Sequence, residues 1–279
     1  MVDSGLAKLF LRFMTALTLA FIYVPLLVIA LYAFNERRTQ AWPLPGLTLK
    51  WFEKALNNPG VRDALLTSLK VAAGAMVIAL VLGTLASFAV QRYRFFGRET
   101  ISFLVILPIA LPGIVTGMAL NATFNTVLDP LGVGLGLFSV IVAHATFCIV
   151  VIYNNVIARL RRTSRSIEEA SMDLGADTWQ TFRYITFPQL RTALLAGGLL
   201  AFALSFDEII VTTFTAGPEK TLPIWILTNL SRPNQLPIVN VVAVVVILLS
   251  MIPVYIAQKL TQEPSTVAAP TAAAAGARQ

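Results

Sequence analysis

Residues 166–188 read SIEEASMDLGADTWQTFRYITFP, a charged stretch between strongly apolar segments. Ser166 precedes Glu169 by three residues, the capping-box spacing in which side chains satisfy orphan N–H groups of a helix's first turn. Gly175 suits a left-handed helix end, and Asp177 with Gln180 repeats the box for a second short helix. Pro188 follows before the next apolar run. The pattern predicts a helix, a glycine turn and a second helix. Ile167, Ala170 and Leu174 share one side of the first helix, Trp179 and Phe182 lie on the second, and small Ala170 and Ser171 permit close approach. So much apolar surface in a polar loop predicts insertion into a partner by the helix-in-groove mode.

The sequence on either side is that of an integral membrane protein. Of 279 residues, 57% are hydrophobic and 13% charged, and the mean hydropathy is +0.76, well outside the range of soluble domains. A hydrocarbon core of ~30 Å needs roughly 20 helical residues to cross it. Six apolar runs approach that length: Phe13 to Phe34, Val71 to Val90, Ile101 to Phe124, Phe138 to Ile157, Ala193 to Phe214 and Val239 to Ala257. None alternates polar and apolar residues as barrel strands do, so helices are predicted. The expected fold class is an all-α membrane protein with six transmembrane helices over residues 13–260. Residues 1–12 are expected to form a short N-terminal segment, and the Ala-rich residues 261–279 a disordered tail. The run from Phe13 is too long for the core of a cleavable signal and is read as a true span.

Lys and Arg give the orientation, because cytoplasmic flanks retain positive charge during insertion. The loop 91–99 holds Arg92, Arg94 and Arg98, whereas the loop 125–137 has only Asp129 as a charged residue. Both termini and the loop 158–192, with its coupling stretch, are therefore expected on the cytoplasmic side. The net charge of +7 is accounted for by basic residues at helix ends, which argues against nucleic acid as a partner. Cys148 and His144 are the sole residues of their kinds. No intramolecular disulfide and no metal site are expected, and His144 reads as a helix-packing histidine. No G-x-x-x-x-G-K-[ST] phosphate loop and no catalytic constellation are present, so the chain is read as a non-enzyme without a cofactor. In the loop 35–63, Trp51, Phe52, Ala55 and Leu56 fall at helical spacing, as in a helix lying on the outer membrane surface.

Two features inside the runs predict function. Asp207 and Glu208 are adjacent in the fifth run, where one charge at the bilayer centre costs ~2.5–3.5 kcal/mol, so water, a cation or the protein interior must receive them. Neighbouring helical side chains point about 100° apart, which suggests different roles. Ser205, Glu208, Thr212 and Thr215 recur at helical spacing as a polar stripe, so Ser205, Asp207, Glu208 and Thr212 are the expected pathway residues, with Glu208 preferred and Asp207 holding a helix partner; the alternative is that both carboxylates are gating or helix-terminus charges without substrate contact. In the third run Pro108, Pro112, Gly113 and Gly117 predict a kinked, gate-lining helix.

The loop resembles the hallmark loop of permease subunits in bacterial ABC importers, E-A-A, three residues, G, nine residues, I-x-L-P. This chain presents Glu169, Ala170, Ser171, then Gly175, then Ile185, Phe187 and Pro188, with Ser171 and Phe187 as mild departures. The similarity runs from the first span to about Lys259. It looks closest to the spermidine/putrescine-type permeases, supported by PIALPGIVTGMAL at 108–120 and LSFDEIIVTTFTAGP at 204–218. The resemblance implies a type I ABC importer permease fold with a cytoplasmic coupling helix, in a bacterial inner or cytoplasmic membrane. It also implies an ATPase subunit dimer, a second permease subunit such as a paralogue, and an extracellular or periplasmic solute-binding protein. Glu168, Glu169, Ala170, Ser171, Asp173, Leu174, Gly175 and Ala176 would then meet the ATPase, and a small solute such as a polyamine would be carried. Other solutes served by related permeases are amino-acid derivatives, opines, iron and thiamine. An ion-coupled secondary transporter would leave the capped loop helices unexplained.

Overall fold

The computed structural model describes residues 5–261; of the tail expected at 261–279, only Thr261 is described, as the last residue of a helix, and the rest lies outside the described residues. Twelve α-helices are described: α1 (Gly5–Ala33), α2 (Lys50–Leu56), α3 (Pro59–Arg92), α4 (Arg98–Ala110), α5 (Gly113–Thr123), α6 (Leu137–Arg162), α7 (Arg165–Asp173), α8 (Thr178–Thr181), α9 (Phe187–Asp207), α10 (Ile210–Thr215), α11 (Leu222–Leu230) and α12 (Leu236–Thr261). Extended pairing among the described residues is limited to one bridge between Asn35 and Leu47. The protein is all-helical, as its composition predicts.

Four helices are long and apolar enough to cross a membrane: Gly5–Ala33, Pro59–Arg92, Leu137–Arg162 and Thr178–Asp207. The pair Arg98–Ala110 and Gly113–Leu131 makes a fifth crossing if it is counted as one broken span. The sixth apolar run falls on α12, whose apolar stretch Leu236–Ile252 is shorter. Length and apolarity therefore account for four or five of the six expected spans.

The third run, expected to be kinked, is broken outright, and the fifth, expected to be a single helix, is broken as well. The third turns by 105° between α4 and α5, because Leu111 and Pro112 are extended and Pro112 cannot donate to the helix before it. The fifth ends at Asp207, Glu208 is extended, and α10 starts afresh at Ile210. At the fifth span's other end the expected boundary disappears. Phe182–Thr186 form a wide π-type turn that leads directly into α9, so Pro188 sits inside a continuous helix. Pro188 occupies the first turn of α9, where its missing N–H is tolerated, and the wider turn absorbs the register change.

Lipid gives helices no hydrophobic reason to associate, so close packing must come from shape. On α3 the buried residues Ala64, Ser68, Val71, Ala72, Ala75, Ala79, Gly83, Ser87 and Val90 are mostly small and recur every three or four positions. This stripe lies against α6, and α9 closes the other side of the core. Ser87 Oγ is 2.7 Å from Gly83 O in its own helix and 3.1 Å from Tyr153 O on α6. The outer helix α1 buries only Ala33 and packs on α12. The surface helix α2 departs from its expected position: Trp51 and Ala55 are buried among Leu222, Trp225 and Val239, and Trp51 Nε1 donates to Asn35 O at 2.8 Å. Trp51 and Ala55 are thus taken by protein, Phe52 is half-buried and Leu56 is exposed.

Gly83 marks the tightest point of the α3–α6 contact, where an added Cβ would lie 2.9 Å from both Ile149 O and Ile152 Cβ. Gly83→Ala is expected to cost ~1–3 kcal/mol by overpacking, read as a lower thermal-unfolding midpoint in detergent. Gly5→Ala, which meets nothing within 4 Å, should leave the midpoint unchanged.

Candidate functional site: a loop helix pair and two broken spans

The loop helix α7 leaves α6 after only Thr163 and Ser164. Ser164, not Ser166, is its cap: Ser164 is extended, and its Oγ accepts from Ser166 N at 3.3 Å. The short connection starts the helix two residues earlier than the Ser166–Glu169 box would allow. Glu169 pairs instead with Arg165 at 3.0 Å, with both side chains more than half exposed, an arrangement that contributes only a few tenths of a kcal/mol. The helix ends as expected. Gly175 has φ +90°, its N–H bonds Met172 O, and Ala176 N bonds Ser171 O, the paired bonds of a left-handed glycine stop. The second box is complete: Gln180 N donates to Asp177 Oδ1 at 2.7 Å and Asp177 N to Gln180 Oε1 at 3.0 Å.

Helix α7 exposes apolar side chains among its charged ones. Its protein-facing positions are polar: Glu168 meets Arg92 and Thr186, and Ser171 Oγ lies 3.3 Å from Thr181 Oγ1. Its outward face carries Ile167, Ala170, Met172 and Leu174, the last 90% exposed. On α8, Trp179 is 65% exposed, while Phe182 is held between Phe88, Trp179 and Phe187. Of the expected coupling residues, Glu169, Ala170, Asp173, Leu174 and Gly175 face outward, Ala176 is half-buried, and Glu168 and Ser171 face the protein. Exposed apolar side chains clustered on a capped helix pair form a surface suited to a partner.

Within the bundle the two broken spans meet. Gly113 faces Ile210 and Val211, Gly117 lies against Phe214, and Asn121 Nδ2 donates to Phe214 O at 2.6 Å. An added Cβ at Gly117 would come within 2.8 Å of the Phe214 ring, so its lack of a side chain lets α5 approach α10. Pro108 lies within α4, and Pro112 and Gly113 form the corner.

The polar stripe expected along one helix is divided by the break in the fifth span, and its parts are rejoined through a residue of another helix. His144 on α6 is fully buried, with Nδ1 2.8 Å from Ser205 Oγ on α9 and Nε2 2.8 Å from Thr212 Oγ1 on α10. Thr212 uses its hydroxyl proton on Glu208 O at 2.7 Å. Donor counting then puts the imidazole proton on Nε2 and lets Ser205 donate to Nδ1. The expected packing histidine is thus a clamp across the broken span. The lone intramembrane histidine and the two hydroxyl residues were visible in sequence, but their meeting was not.

The two carboxylates have different surroundings. Glu208 Oε1 accepts from Val211 N at 3.0 Å and caps α10, while Asp207 is exposed and makes no hydrogen bond or ion pair among the described residues. Both line an open cleft of about 490 Å³ with Val151, Leu200, Ala203 and Leu204, so two acidic groups stand in otherwise apolar walls. Asp207 also borders a second cavity, of about 200 Å³, beside α11 and α12. Among the described residues no group of acidic, His or Cys side chains is arranged to hold a metal ion.

Residues 76–263 match the family described as binding-protein-dependent transport system inner membrane component. The chain is 33% identical over 232 residues to the putrescine transport system permease protein PotI of Escherichia coli strain K12, covering 81% of this chain and 82% of that one. It is 31% identical over 246 residues to the spermidine/putrescine transport system permease protein PotC of Haemophilus influenzae, covering 88% and 93%. In fold it is similar to a chain of a bacterial ABC transporter that imports the acidic polysaccharide alginate, with a TM-score of 0.72 at 16% identity over 94% of this chain and 100% of that one.

His144→Phe keeps an aromatic ring in place but removes both bonds across the break. Cys148, buried and 3.3 Å from Ala201 O, is a built-in reporter of loosening. Maleimide labelling of Cys148 is expected to accelerate severalfold in the variant; an unchanged rate would show that the clamp does not hold the break closed.

Proposed function

The chain belongs to the binding-protein-dependent transport system inner membrane component family, and from that premise we propose that this ABC importer permease subunit carries polyamines or a similar small cationic solute. It is a multi-pass membrane transport subunit. Its partners in the proposal are an ATPase dimer, a second permease subunit and a solute-binding protein outside the membrane.

The observation that carries the reading is the outward apolar face of α7 and α8. Ile167, Met172, Leu174 and Trp179 are exposed on a helix pair whose caps and glycine turn hold its shape. That surface offers the ATPase a preformed knob, and preformation lowers the ordering cost of docking. The turn belongs on the cytoplasmic side, as the flanking Arg159, Arg161, Arg162 and Arg165 argue. The polar cleft around Asp63, Glu219, Trp225 and Arg232 lies at the start of α3, whereas the loop lies at its end. A 34-residue helix is long enough to separate these two ends by a membrane thickness. The solute-binding protein is assigned to the cleft side.

The solute reading rests on Asp207 and Glu208 together with the named transport roles of the two permease relatives. A cleft with low-dielectric walls and two carboxylates concentrates cations. The meeting of α5 with α10 is the proposed gate, because each is the second half of a broken span and both can move at the corner formed by Pro112 and Gly113 and at Glu208. Irregular backbone at membrane depth is tolerated only inside protein or beside a cavity.

Asp207→Asn and Glu208→Gln are expected to cut uptake of labelled putrescine or spermidine into proteoliposomes by tenfold or more, with the ATPase still attached. Unimpaired uptake in both variants would sink the pathway assignment. Gly175→Pro cannot adopt φ +90° and deletes the N–H bonded to Met172 O. The ATPase subunit is expected to be lost from the purified complex of that variant, and its full retention would refute α7–α8 as the docking element.

A further inference from the structure

Glu168 is the one acidic residue of α7 turned toward the protein, and it meets a residue far away in the chain. Arg92, at the last position of α3, donates from Nη2 to Glu168 Oε1 at 2.8 Å, and Thr186 Oγ1 donates to the same oxygen at 3.1 Å. The pair is largely enclosed, with 12% and 14% of the two side chains exposed. Arg92 Nε is buried without a hydrogen-bond partner, and among the described residues Glu168 is the ionic partner of this guanidinium. One turn earlier on α3, Phe88 packs edge-on against Phe182 at 5.9 Å. The end of α3 therefore touches both sides of the glycine turn.

A buried ion pair is a weak source of stability but a strong determinant of register, since either charge left alone is costly. The loop is joined covalently to α6 at one end and to α9 at the other. The helix α3 has no such link, and the elements that pack most closely on α7 are α8 and the wide turn. We propose that Arg92 and Glu168 form a positioning strut that carries displacement of α7 into α3, so that one docking event drives α3, α6 and α9 together. This rests on the reading of α7–α8 as the ATPase dock.

The test uses the complete complex in proteoliposomes, reading how far ATP hydrolysis is stimulated by the solute-binding protein purified with its native solute. This readout does not depend on which solute is carried. Arg92→Glu and Glu168→Arg are each expected to reduce the stimulation about fivefold or more, with the ATPase still attached, and the double swap to restore at least half of it. Wild-type stimulation in both single variants, or a double swap no better than either single, overturns the strut. In Arg92→Cys/Glu168→Cys, a short thiol cross-linker should raise stimulation above that of the same sample before cross-linking, because the strut moves as one piece. No rise overturns it, and this comparison holds even where the charge reversals assemble poorly. A wild-type complex that is never stimulated, or never binds the ATPase, defeats the proposed function instead.

Discussion

Hydrocarbon offers no hydrogen-bond partner to a peptide group, and the architecture follows from that constraint. It favours long uninterrupted helices such as α1, α3 and α6, and it makes any break costly unless protein groups serve the exposed backbone. The break in the fifth span is served in that way: Glu208 Oε1 takes the N–H of Val211, and Thr212 takes the carbonyl of Glu208. Asn121 takes the carbonyl of Phe214 where α5 meets α10. His144 then ties Ser205 to Thr212 across the gap. Three of the buried polar side chains, His144, Ser205 and Thr212, serve this break.

The same constraint explains how the core is built. With no hydrophobic drive between helices in lipid, contact depends on close approach, and α3 supplies it with a row of Ala, Ser and Gly. The large exposed side chains of α1 have no such match and face outward around nearly the whole helix. The result is a tight core of α3, α6 and α9 with looser elements around it. At one end of that core sits the loop helix pair, with Glu168 and Ser171 turned inward and Ile167, Met172, Leu174 and Trp179 exposed beside Glu169 and Asp173.

The capping signals at Asp177, Gln180 and Gly175 were readable because each acts over three or four residues of chain. The signal at Ser166 misled, since a better-placed Ser164 lay two residues upstream and the connection from α6 was too short to wait. Pro188 was read as a boundary because proline usually ends a helix. A wide turn just before it allowed the helix to continue. For α2, helical spacing of Trp51 and Ala55 was legible, but the surface they would meet was not.

By itself the sequence determined that the chain is helical, that it lives in a membrane, and that a capped helix pair interrupts its apolar runs. Those conclusions rest on composition, run length and local capping, all of which are properties of neighbouring residues. Pro112 and Gly113 already marked a kink in the third run, a local property of the chain. Tertiary structure alone decided that α5 meets α10, that His144 joins Ser205 to Thr212 across the break in the fifth run, and that Arg92 meets Glu168. Each of these is a contact between residues tens of positions apart, and no periodicity in the chain encodes which helices will touch.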